Sequence, residues 1–217
     1  MGGSFFKRNG LSLVVGLMML AAWAAQAVTG HAAYNQELAE HGRASLGMTA
    51  YLASGDFWSA TFENWESEFL QMGVYVLLTV WLRQKGSAES RPMDPADEID
   101  APTPWDKQPR AWRRGGAIRW VYANSLSIAF LLLFIVCFVG HLLGSWRKAI
   151  LQAGMHGQPL PRLGDYLIDP SFWFESFQNW QSEFLAVLSL VVLSIFLRQK
   201  GSPQSKTVDA PHGQTGD

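Results

Sequence analysis

Glu68 and Glu183 occupy the same place in two copies of one motif, NWxSEFL, which begins at Asn64 and again at Asn179. Each asparagine precedes its glutamate by four residues, about one helical turn, so amide and carboxylate fall on one face if the motif is helical. Gln26 and His141 are candidates for the same level. They follow Ser12 and Ser127 by 14 residues each, and at about 1.5 Å of rise per residue they reach nearly the depth of the two glutamates. Such a set has a definite chemistry: the carboxylates share a proton, meet a charged imidazole or hold a cation. Asn64 and Asn179 would orient the carboxylates or a ligand, and His141 would respond to pH. The candidate polar site is therefore Glu68, Glu183, Asn64, Asn179, Gln26 and His141, placed in the outer leaflet of a membrane.

The same stretch supports a plainer reading. Trp58, Trp65, Trp173, Trp180, Tyr51 and Tyr166 have the composition of an interfacial aromatic belt. On that reading the glutamates reach headgroup water beside the rings and do no chemistry.

Other chemistry is excluded or unsupported. The single cysteine, Cys137, lies in an apolar run, so neither a disulfide framework nor a thiolate metal cluster is expected. The five histidines lack zinc-site spacing, no nucleotide cradle or nucleophile elbow occurs, and no metal or cofactor is expected. An enzyme is disfavoured for want of a nucleophile and base. The 17 basic and 18 acidic residues balance, and without a basic and aromatic binding face no nucleic-acid partner is expected.

The elements that would carry these groups are visible as apolar runs. Residues 11–28, 69–82, 121–143 and 184–197 are nearly free of charge, which predicts an all-α, four-helix membrane bundle. Residues 51–87 return as 166–202 at a constant offset of 115, with 19 of 37 positions identical and both copies ending in LRQKGS. Asn9, Leu11 and Ser12 match Asn124, Leu126 and Ser127 at the same offset, so the first helix belongs to the repeat. Its Lys7, Arg8 and closing Ala25-Gln26-Ala27 also fit a cleavable signal peptide, the competing reading of this helix.

The chain is expected as a first two-helix repeat over 1–87, a flexible linker over 88–118, a second repeat over 119–202 and a disordered tail over 203–217. Lys and Arg gather at the amino terminus, the middle connection and the tail, which makes all three cytoplasmic by the positive-inside rule. Two hairpins entering from one side have parallel topology. The expected partners are the lipid bilayer and either a second copy or another membrane protein. Passage or sensing of a proton, cation or small polar solute is the leading expectation, and an accessory or scaffold role its rival.

The paired NWxSEFL entrances, the His-Gly dipeptides at His41 and His156, and the LRQKGS exits resemble those of an uncharacterised family of bacterial multi-pass membrane proteins, a domain of unknown function. The resemblance implies a bacterial inner-membrane location. It transfers no catalytic or binding role.

Overall fold

The computed structural model describes residues 5–94 and 103–216, and among them there is no strand. Eight helices follow in order: α1 (Phe5–Glu40), α2 (Met48–Leu52), α3 (Gly55–Trp81), α4 (Arg110–Arg113), α5 (Gly116–Ala123), α6 (Ser125–Met155), α7 (Leu163–Leu167) and α8 (Pro170–Phe196). Three of them, α1, α6 and α8, are long and apolar enough to cross a membrane. α3 is as long as α8 but carries Asp56, Glu63, Glu66 and Glu68 in its first half, which lowers its apolarity. Part of the expected linker, residues 95–102, lies outside the described residues; the rest holds a 3-10 turn (Trp105–Lys107), α4 and the first three residues of α5.

The chain divides into two compact units, residues 1–61 with 140–167 and residues 62–139 with 168–217. The first is built around a hydrophobic core of Tyr34, Leu38, Tyr51 and Phe57. Close approach here requires small residues. A Cβ on Gly30 would collide with the Tyr51 hydroxyl, and one on Gly144 would lie 2.7 Å from the backbone nitrogen of Ser59. Asp56 and Lys148 form an ion pair at 2.9 Å beside this contact. Burial, reinforced by the Asp56 charge, pushes the Tyr51 phenol above its ordinary pKa.

Two ring nitrogens pin the loops of this unit. His31 Nε2 donates to the Leu46 carbonyl at 2.7 Å, and Trp146 Nε1 donates to that of Pro161 at 2.9 Å. Both pairs are 15 residues apart, and the second lies 115 residues beyond the first.

The second unit contains the remainder of α3, the helices α4 and α5, the first part of α6, and α8 with the tail. Phe138 stacks against Phe172 and Trp173 with ring centres 5.7 and 6.1 Å apart. Trp23, Phe57 and Trp58 of the first unit make the corresponding contacts at 6.0 and 6.4 Å, again at the offset of 115.

Both exits form the same cap. Arg83 Nη1 donates to the carbonyls of Thr79, Val80 and Leu82, and Arg198 Nη1 to those of Ser194, Ile195 and Leu197. A cationic donor at a helix C-terminus satisfies carbonyls left without amide partners and meets the negative end of the dipole. The chain then turns through Gly86 and Gly201, both at positive φ (87° and 81°), a conformation that glycine adopts without a Cβ penalty. Ser90 and Ser205 hydroxyls close the turn on the amides of Gln84 and Gln199, each at 2.9 Å. Residues 203–216 continue as turns around Lys206, whose ammonium donates to the carbonyls of Pro211, His212 and Gln214.

Candidate functional site

The entrance of α8 is fixed by local chemistry. Asp169 is its N-cap and accepts from the Ser171 amide at 2.8 Å and from the Ser171 hydroxyl, with Pro170 at the first helical position. These bonds hold the Asp169 carboxyl below its ordinary pKa. From this start Phe172, Ser176, Asn179 and Glu183 recur at the spacing of a single helical face. Phe172 and Ser176 are fully buried, and Asn179 and Glu183 are half-buried.

α3 brings acids to this face. Glu66 is fully buried and its Oε1 accepts from Ser176 Oγ at 3.3 Å. Glu63 Oε1 accepts from Asn179 Nδ2 at 2.6 Å, and carboxylate oxygens of Glu63 and Glu175 lie within 4.8 Å of each other. The result is a group of three carboxylates, one hydroxyl and one amide on two helices. Below it Gln71 Nε2 donates to the backbone carbonyl of Glu183 at 2.7 Å, linking α3 to α8 at a lower level. Trp180, ringed by Phe134, Trp173 and Phe177, has a buried indole N–H with no hydrogen-bond partner among the described residues.

Of the six residues expected as one site, Gln26 and His141 belong to the first unit and Asn64, Glu68, Asn179 and Glu183 to the second. Asn64 and Glu68 are exposed, whereas their counterparts Asn179 and Glu183 are half-buried. In the first unit Gln26 Nε2 and the Trp23 indole both donate to the fully buried Thr61 hydroxyl, at 3.2 and 3.3 Å. His141 is fully buried, and its carbonyl accepts from Ser145 Oγ at 2.8 Å. The expected belt is likewise divided. Tyr51 and Tyr166 are buried, while Trp58, Trp65, Trp173 and Trp180 are partly covered and stacked on neighbouring rings.

Glu63, Glu66 and Glu175 escape a reading guided by identity between the repeats. Their counterparts at the offset of 115 are Gln178, Gln181 and Ala60, so none stands out as a matched pair. The available signal was helical phase: Glu63, Glu66 and Ser67 share a stripe, and Ser67 is also buried.

The family described as "Domain of unknown function (DUF6766)" matches residues 2–217. The chain belongs to this family. No curated protein and no solved structure matches it. Membership in DUF6766 spans both units and thus both the acidic group on α3 and α8 and the Gln26–Thr61 arrangement.

Proposed function

We propose that this DUF6766 protein is a bacterial inner-membrane protein of four spans, built by duplication of a helical hairpin with both termini cytoplasmic, and that it admits or senses a proton or cation at Glu63, Glu66 and Glu175. The observation that carries the reading is the fully buried Glu66 carboxylate held by Ser176 in a helix of spanning length. At about 1.5 Å per residue α3 is about 40 Å long, against about 30 Å for the hydrocarbon core. Glu66 then sits about 24 Å from the Leu82 exit, inside the outer leaflet. An ionisable group at such depth costs up to about 2.5–3.5 kcal/mol when charged and is usually turned to the bundle interior or a water-filled path. Neighbouring carboxylates as close as Glu63 and Glu175 can share one proton or flank one cation.

The repeated loop pins, aromatic triads and exit caps support the duplication, because each recurs at the 115-residue offset with similar geometry. The four-span reading places α3 beside α1, α6 and α8 as the helix whose outer end is polar by design.

Glu66→Gln and Glu63→Gln preserve size and hydrogen-bonding capacity while removing charge. In sealed vesicles of purified protein, with an entrapped pH dye and imposed proton, Na⁺ or K⁺ gradients, the parent is expected to dissipate at least one gradient, or to change its intrinsic fluorescence with it. Either variant should lose that response, whereas Glu68→Gln, at an exposed position, should keep it. Equal responses from the parent and the Glu63/Glu66 variants would remove the proton or cation reading and leave an accessory role in its place.

A further inference from the structure

Of the three His-Gly dipeptides in the sequence, at His41, His156 and His212, the first two stand at the C-terminal ends of α1 and α6, and the structure brings their rings together. His41 and His156 are 115 residues apart, and their ring centres lie 5.1 Å from each other at an interplanar angle of 76°. Both rings are exposed. Each is anchored identically: His41 Nδ1 is 2.9 Å from the Glu37 carbonyl, and His156 Nδ1 is 2.9 Å from the Gln152 carbonyl. A carbonyl only accepts, so both Nδ1 atoms carry the proton. In the neutral rings both Nε2 atoms are therefore left with a lone pair.

We propose that His41 and His156 bind a divalent d-block cation such as Zn²⁺ or Cu²⁺ through their Nε2 atoms, with water completing its coordination. An imidazole whose far N–H is fixed by a carbonyl is the usual form of a metal-bound histidine, since that bond sets both tautomer and ring orientation. The spacing fits. With metal–nitrogen bonds of about 2.0–2.1 Å and a tetrahedral angle, two ring centres lie about 5.2 Å apart.

The surroundings favour positive charge. His41 directly follows α1 and His156 directly follows α6, so the pair sits where two helix dipoles present their negative ends. Gly42 and Gly157, at φ 65° and 64°, turn the backbone away immediately after each ring. The next residues close the ends with matching bonds, Arg43 N to Leu38 O at 2.8 Å and Gln158 N to Ala153 O at 2.9 Å. Gln152, whose carbonyl anchors His156, also donates its side-chain amide to Glu37 at 3.4 Å, tying together the two residues that orient the rings.

Stacking and helix capping alone would explain an aromatic pair, but they would be insensitive to metal. The tag-free full chain, purified in detergent and stripped with a chelator, is titrated with Zn²⁺, Cu²⁺ and Mg²⁺ against a chromophoric competitor. One equivalent of Zn²⁺ should bind, Cu²⁺ more tightly in line with the general affinity order, and Mg²⁺ not at all. His41→Gln or His156→Gln should each weaken Zn²⁺ binding roughly 10–100-fold or more, at least the loss seen when a supporting partner of a ligand is removed. His212→Gln, in the tail, should bind as the parent does. Electron paramagnetic resonance of the Cu²⁺ form guards against a folding artefact in the variants, since it requires only the parent. Coupling to two imidazole nitrogens is expected. Coupling to one or none, or a His41→Gln/His156→Gln double variant that binds Zn²⁺ like the parent, overturns the site.

Discussion

Glu66 and Glu68 are two residues apart and differ by about 200° around a helix, which is enough to place one fully inside and the other in the open. Identity between the repeats selected Glu68, because its counterpart Glu183 is also glutamate. Phase and burial selected Glu66, whose counterpart is glutamine. Residues maintained in both copies at an exposed position need only a common ancestor, whereas a buried carboxylate needs a hydroxyl or amide donor within reach. Ser176 and Asn179 supply those donors, and neither contact could be deduced without knowing how α3 and α8 are rotated. By contrast, Asp169 directly before Pro170 is a helix-start signature in the sequence itself, since capping depends only on the next two residues. Asp169→Ala should destabilise the start of α8 by about 0.5–2 kcal/mol. The pH dependence follows from the direction of its shift. A carboxyl held below its ordinary pKa in the fold contributes stability that is complete above the unfolded value, near 3.9, and is lost as pH falls through the folded one. Amide protection in the first turn of α8, taken relative to the intrinsic exchange rate at each pH, should therefore fall on acidification in the parent, while Asp169→Asn keeps a cap and should show a smaller acid response.

Helix formation itself was evident from the apolar runs, but the lengths of the helices were not. α1 extends to Glu40 and α6 to Met155, well past residues 28 and 143 where their charge-free stretches end. These extensions are polar helices stabilised by contacts within the first unit, and a hydropathy pattern registers only the part that suits lipid. The same helices show which glycines matter. On α6, Gly144 approaches the backbone of Ser59, whereas Gly154 has open space around the place of a Cβ. Small residues at such crossings let backbones approach closely, the usual means of joining helices in lipid. Gly144→Ala should cost about 1–3 kcal/mol through overpacking. Gly154→Ala should be neutral or stabilising by up to about 1 kcal/mol, because it removes backbone freedom from the unfolded chain. Thermal unfolding of the two variants in one detergent measures the difference. Equal melting temperatures would show that the α3–α6 contact in this unit tolerates the extra methyl group.

At the scale of the whole chain, the strongest regularity is the recurrence of contacts at a single offset despite changes of residue type. His31 and Trp146 place different rings on the same loop carbonyl position, and Trp23 and Phe138 fill the same corner of their aromatic triads. Similar contacts made by different residue types at one offset are what the proposed duplication predicts, since packing shape rather than residue identity maintains a helical hairpin. This gives the topology proposal a specific form. If each hairpin leaves and re-enters one side, then the Arg83 and Arg198 caps mark the same face, and the loops after α1 and α6 mark the opposite one. The counts of Lys and Arg assign the capped face to the cytoplasm. A reporter fused after Ser87 should therefore be active in its cytoplasmic form, and one inserted near Glu40 should be periplasmic. Two reporters on the same side would mean that α3 does not cross the membrane, so Glu63 and Glu66 would lie outside the hydrocarbon. A reversed pair would retain four spans but place the acidic group at the cytoplasmic leaflet. A mature amino terminus at Val28 would remove most of α1 and would show that the first apolar run acts as a signal, leaving Gln26 with no part in the mature protein.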